Sequence, residues 1–161
     1  MASLCDSDPP LAAAPVRDGL ALARGVCRHL RSLGFATLTE FVPSAGLRVD
    51  VIALGPRAEV WIVEVKSCRA DFAADRKWSG YLPWCDRFFW AVDAGFPEAI
   101  LPDGAGIIRA DAYDAAVLRM APEAPLASAR RRALVARVAR TAAERLAQLD
   151  DPDPLRRFGA P

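Results

Sequence analysis

Histidine is almost absent from this chain: His29 is the only one, and it lies inside a helical pattern where a surface or boundary place suits it. A mechanism built on a His pair is therefore excluded, and a Ser-His dyad would need His29 itself. The four cysteines, Cys5, Cys27, Cys68 and Cys85, contain no CxxC pair. That argues against a zinc site or a disulfide framework and for the reduced thiols of a cytoplasmic protein. Cys68 and Cys85 read as small core or site-edge residues rather than ligands. No apolar run approaches the roughly 18 residues of a transmembrane helix. The N-terminus carries Asp6 and Asp8 but no basic segment, so no secretory signal is expected. Internal repeats and base-reading motifs are missing too, and a net charge of +1 by itself points to no acidic partner.

What is present fits one α/β domain. The 161 residues are 53% hydrophobic and 25% charged, enough for a real core. Residues 1–14, rich in Pro, Ala and Asp, read as a lead-in, residues 15–149 as the domain, and residues 150–161 as a frayed tail. Val16, Leu20, Ala23, Cys27 and Leu30 recur at helical spacing between Pro15 and a Gly34 cap, with Gly19 and Gly25 marking close packing. A strand over Phe35–Val42 and a turn at Pro43–Gly46 follow. Ser67–Asp71 leads into a helix through about Leu82, closed by Pro83. Asp86–Asp93 reads as a buried strand, Phe96–Leu101 as a short helix, and Gly106–Ala110 and Ala116–Met120 as short strands. The order of elements predicts a mixed sheet with helices on both faces.

The centre of the pattern is Arg48–Lys66, two apolar, β-branched runs around Gly55-Pro56, which reads as a β-hairpin. Asp50, Glu64 and Lys66 are set into those runs, where a charge is costly unless paired or metal-bound. With the turn centred on Arg57, Leu54 faces Val60, Ile52 faces Ile62, Asp50 faces Glu64 and Arg48 faces Lys66. Alternation places Glu64 and Lys66 on one face. Two directly opposed carboxylates repel, and a divalent cation between them would turn repulsion into binding.

An acid followed about fourteen residues later by acid-x-Lys, here Asp50 and then Glu64-Val65-Lys66, resembles the signature of the PD-(D/E)xK phosphodiesterases. Phosphodiester hydrolysis needs an activated water and relief of negative charge on phosphate, and a divalent metal supplies both. Mg²⁺ or Mn²⁺ is expected on Asp50 and Glu64, with the Val65 carbonyl as a further oxygen, and Lys66 orienting the water or neutralising charge. Superfamily members with a Gln-x-x-x-Tyr helix use it beside the metal; here Lys77-x-x-x-Tyr81 has Lys in place of Gln.

The run from Glu64 to Val92, EVKSCRADFAADRKWSGYLPWCDRFFWAV, and the later ADAYDA at Ala110 and MAPEAPL at Met120 resemble the MmcB family of bacterial DNA repair proteins, over about residues 15–149. The resemblance implies a restriction-endonuclease-like three-layer αβα fold, a DNA repair role and catalytic positions at Asp50, Glu64 and Lys66. Glu40 corresponds to an upstream acid that many superfamily members add; it reads equally as an edge charge. No small-molecule cofactor is implied, and DNA is the expected partner. A homodimer stays open.

Several residues near these acids allow two readings. Asp71, Asp75 and Arg76 can cap the helix or pair together, with Asp71 the better N-cap. Arg48 and Arg69 can contact phosphate or pair with Glu64 or Asp71. Trp78, Trp84 and Trp90 suit the core, although Trp78 beside Lys77 is placed to meet DNA. Over Leu126–Leu149 a final helix puts Leu134, Val135, Val138, Leu146 and Leu149 on one side and Arg130, Arg137 and Arg140 roughly opposite. Its six arginines and one glutamate give a local charge of +5. That is either a solvated face or a phosphate-facing surface. The competing function is a DNA-binding or scaffold protein of the same fold that cleaves poorly.

Overall fold

The hairpin forms with the register expected from its turn. In the computed structural model, which describes residues 18–75 and 77–152, strands β2 (Leu47–Leu54) and β3 (Val60–Lys66) pair antiparallel through Leu54↔Val60, Ala53↔Trp61, Ile52↔Ile62 and Val51↔Val63. Gly55 and Glu59 close the loop by a backbone hydrogen bond of 2.8 Å. The expected lead-in, Arg76 and most of the expected tail lie outside the described residues.

Around this hairpin the chain builds a six-stranded sheet in sequential order β1 to β6. Strand β1 (Ala36–Ser44) pairs antiparallel with β2, extending two residues beyond the expected Val42. Strands β3, β4 (Arg87–Val92) and β5 (Gly106–Ala110) are parallel, and β6 (Ala115–Arg119) returns antiparallel on β5. Strands covered by helices on both faces are apolar throughout, and β3 is buried along its whole length. Helix α1 (Gly19–Ser32) covers one face through Leu22, Ala23, Val26 and Leu30. The other face packs Ile52, Ile62, Phe88 and Trp90 under Leu134 and Val138 of helix α3 (Ser128–Asp150). The result is the expected three-layer αβα arrangement. Each large apolar side chain fully removed from water adds roughly 1.5–3 kcal/mol, so the two core layers hold the sheet between the helices.

Local chemistry explains the ends of α1. The Asp18 carboxylate accepts the Leu20 N–H at 3.0 Å, and Gly34 at φ 86° provides the left-handed exit. Gly25 is pressed on the β5–β6 turn rather than on the sheet: a Cβ there would stand 2.1 Å from the Asp111 carbonyl oxygen.

Three local expectations are corrected. The helix after β3 is only α2 (Arg69–Ala74), followed by single 3-10 turns at Trp78–Gly80 and Leu82–Trp84. It stops because Asp75 turns extended and its carboxylate accepts the Lys77 N–H at 2.9 Å, a local bond that competes with the helix. Asp71 sits in the first turn of α2, while Cys68 occupies the N-cap without a side-chain bond. Leu146 and Leu149 are exposed, and within α3 only Leu134 and Val138 are buried.

The carboxylate of Asp86, just ahead of β4, ties the layers together. It accepts the backbone N–H groups of Val60 at 2.7 Å and Leu126 at 2.8 Å, and both terminal nitrogens of Arg131 at 2.6 and 2.7 Å. It therefore joins β3, β4 and the start of α3. Asp86→Ala leaves these donors and the Arg131 charge unpaired, with an expected loss of about 3–5 kcal/mol. The measurement is a thermal melt, in which a drop of roughly 10 °C or more is expected for a domain of this size.

Candidate functional site

The β2–β3 ladder opens at Val51↔Val63, and the acids take over. Asp50 Oδ2 accepts the Val65 N–H at 2.8 Å, and Glu64 Oε1 accepts the Asp50 N–H at 3.1 Å. The two carboxylates thus bridge the diverging strands, each satisfying a backbone donor that the ladder no longer pairs. On the other side of β2, the β1 pairing runs Thr39↔Val51 and then Phe41↔Val49, skipping Glu40 and Asp50. Glu40 has φ 50°, a left-handed conformation rare for a residue with a side chain. Glu40, Asp50 and Glu64 consequently occupy one row across three strands. The irregularity also changes which way β2 faces. Val49 and Ile52 lie in the α3-side core and Val51 in the α1-side core, so alternation breaks at Asp50.

The three acids line a cleft of about 300 Å³ together with Val65, Lys66, Asp71 and the first turn of α1. Lys66 is buried, and its Nζ lies 2.7 Å from Asp75, 3.8 Å from Asp71 and 5.6 Å from the centre of the Trp90 ring. Asp75 as the principal partner of Lys66 was not foreseen; the available signal was that a buried lysine in β3 needs a counter-charge, and α2 carries the next acids. Arg48 does not face Lys66 but pairs with Glu40 at 3.0 Å. The Tyr81 hydroxyl donates to the Arg48 carbonyl at 3.0 Å, and the tyrosine is buried, so it supports β2 behind the acids.

The remaining expected contacts divide. Lys77 and Arg69 are exposed, and Arg69 lines a different hollow with Cys68 and Asp93. Trp78 packs on Phe88 and Trp90 as a core wall, with ring centres 5.8 and 5.9 Å away. The α3 arginines do not converge. Arg130 donates to the Pro83 carbonyl and covers Trp84, Arg137 donates to the Pro43 carbonyl, and Arg140 pairs with Glu144.

The family model described as DNA repair protein MmcB-like matches residues 8–153. The chain belongs to the MmcB-like family. A solved structure of a protein of unknown function from Silicibacter pomeroyi is 57% identical, with a TM-score of 0.82, the match covering 89% of this chain and 97% of that one. No curated protein matches. Among the described residues, no helix of this MmcB-like chain is long and apolar enough to cross a membrane.

Electrostatics in the MmcB-like site follow from burial and crowding. Burial first, and Asp50 second, push the Glu64 carboxyl up to about 8. Burial likewise raises Asp50, outweighing the Val65 N–H and Lys66. Burial, the largest influence, would lower Lys66, but its hydrogen bond with Asp75 together with the negative charges of Asp75, Asp71 and Glu64 outweighs this and leaves the ammonium raised above its ordinary value. Lys66 is therefore a fixed positive charge rather than a proton acceptor. Burial and then Glu64 push the Tyr81 hydroxyl up to about 12.

A pH dependence results. The native protein keeps a proton on Glu64 that the unfolded chain has already released, so this contribution to stability is full below about 4.5 and lost as pH rises through about 8. Asp75 and Asp86 shift the opposite way, and their contributions are lost only as pH falls below the ordinary carboxylate value of 3.8. In thermal melts without divalent metal, the wild type is expected to lose on the order of 3 kcal/mol across the Glu64 window. Glu64→Gln should flatten that decline; parallel profiles for the two proteins would refute the assignment.

Proposed function

We propose that this chain hydrolyses phosphodiester bonds in DNA, with Mg²⁺ or Mn²⁺, as its part in DNA repair. One observation carries the reading: a half-buried and a buried carboxylate, Asp50 and Glu64, stand together on adjacent strands in the wall of a cleft, with a lysine held charged beside them. A carboxylate pair of this kind costs stability unless it binds something.

The donor set fits a hard divalent cation. Asp50 Oδ1 and Glu64 Oε2 have no hydrogen-bond partner among the described residues, and Val65 lines the same cleft. Among the described residues no group of three or more His, Cys, Asp or Glu side chains is arranged to hold a metal. That is a poor cage for zinc, but Mg²⁺ is ordinarily held by one or two carboxylates with water and substrate oxygens completing its shell. When bound, the cation would supply the Lewis acidity that makes water nucleophilic at neutral pH.

The other roles belong to the side chains. Asp50 and Glu64 are held rigid by the backbone N–H groups they accept, so little reorganisation is needed on binding. Lys66 presents a positive charge toward the reacting phosphate, oriented from behind by Asp75 and Trp90. Tyr81 acts as a positioning residue through the Arg48 carbonyl. Exposed Lys77 is free to meet an incoming phosphate.

The second reading, a DNA-binding protein with weak or no cleavage, is favoured by one observation. Lys66 Nζ is engaged by Asp75 at 2.7 Å and Glu40 by Arg48 at 3.0 Å, leaving two acids rather than three for a metal.

Both readings meet the same experiment. Purified protein is incubated with single-stranded, duplex, nicked and branched DNA in Mg²⁺, Mn²⁺ or EDTA. Cleavage should require metal and fall at least about a hundredfold in Asp50→Asn and in Lys66→Ala. Binding in EDTA should persist in Lys66→Ala. Equal background cleavage by wild type and variants, with binding intact, would select the second reading.

A further inference from the structure

Helix α1 carries Arg24, Arg28 and Arg31 at spacings of four and three residues, which places them on one stripe. Its sequence GLALARGVCRHLRS contains no acid to balance them. Like charges at such spacings cost an isolated helix a few tenths of a kcal/mol each, so the stripe is not explained by helix stability. The opposite stripe, Leu22, Val26 and Leu30, is fully buried in the sheet, so the arginines project outward beside β1.

There they wall a second cleft of about 330 Å³ with Thr37 and Thr39 of β1 and Arg145 of α3, and no acidic side chain lines it. Arg145 is locked in place by donating to the Thr39 carbonyl at 2.7 Å and the Glu40 carbonyl at 3.0 Å. Arg28 is steadied by the Ala112 carbonyl at 2.6 Å. These bonds fix geometry without neutralising charge. Among the described residues, none of the four arginines is in an ion pair. Thr39 also lines the acid cleft, so the two clefts adjoin along β1.

Four uncompensated guanidiniums and two hydroxyls in one groove call for a ligand with several negative charges in a row, because a single carboxylate neutralises only one. The guanidinium fork matches phosphate oxygens, and a cleft closed in by α1, β1 and Arg145 of α3 admits one backbone rather than a duplex. We propose that the α1–β1 cleft binds the phosphodiester backbone of a single DNA strand and leads it past Thr39 to the acids. The inference rests on DNA being the substrate of the neighbouring site, but not on cleavage taking place there. It shifts the main phosphate contacts from Arg130, Arg137 and Arg140 of α3 to the stripe on α1.

The test is binding alone, in EDTA, followed by the fluorescence anisotropy of a labelled single-stranded oligonucleotide during a salt titration. The side chains of Arg24 and Arg31 are exposed and make no hydrogen bond among the described residues, so Arg24→Gln/Arg31→Gln should melt like wild type. Removing two phosphate contacts should reduce the log-log salt slope by about 1.4, at about 0.7 per contact on single strands. Arg57→Gln, at the far end of the hairpin, serves as the control and should leave the slope unchanged. Arg145→Gln should lower it as one further contact.

A double variant with the wild-type slope overturns the proposal, as does a loss seen only on duplex. Polyglutamate competing as well as DNA at equal charge would also overturn it, by showing a generic polyanion site. Absence of metal-dependent cleavage with the slope loss intact would remove the nuclease reading and leave this one standing.

Discussion

Where two strands part inside a protein, their backbone N–H groups lose their partners, and a buried donor without an acceptor is expensive. In this chain the β2–β3 ladder parts at Val51↔Val63, and the carboxylates of Asp50 and Glu64 reach across to supply the missing acceptors. The rest of the site depends on that exchange. It fixes the two carboxylates in place, and it makes them stabilising to the backbone and repulsive to each other at once. One oxygen of each is committed to a backbone donor, and the other has no hydrogen-bond partner among the described residues.

The surroundings sustain this conflict. Lys66 brings positive charge near the pair but is drawn toward Asp75, with Trp90 beneath it. Burial and the neighbouring Asp50 therefore outweigh what Lys66 and the backbone donor return, and Glu64 rises to about 8. Asp86 shows the contrasting case within the same sheet. Its carboxylate is saturated by two backbone donors and Arg131, and it falls below the ordinary value. Both are buried carboxylates next to strands. Full satisfaction gives Asp86 a structural role, whereas Glu64 keeps one oxygen without a hydrogen-bond partner among the described residues.

Membership in the MmcB-like family places the protein among DNA repair proteins, and the charge layout is consistent with a nucleic-acid partner. With a net charge of only +1, affinity for a polyanion has to come from local concentration of arginine. Residues 126–149 carry a local charge of +5, yet their arginines are spread over different carbonyls, an aromatic ring and Glu144. Helix α1 carries a smaller set, Arg24, Arg28 and Arg31, on one stripe. Folding β1 and Arg145 against it turns the stripe into a cleft.

By itself the sequence determined the hairpin, its register, the opposition of Asp50 and Glu64, the layer order and the buried strand before Asp93. All of these rest on local rules: alternation with period two, a Gly-Pro turn that sets pairing, and apolar runs between breakers. Only the tertiary structure decided the left-handed turn at Glu40 that aligns a third acid, the break in alternation at Asp50, and the early end of α2. It alone decided the partners of Lys66, Asp86 and Arg48, and the meeting of α1 with Arg145 across more than a hundred residues. The reason is physical. A buried charge must find a counter-charge or donor, but any segment of the chain can provide it, and which one does is settled by packing rather than by spacing.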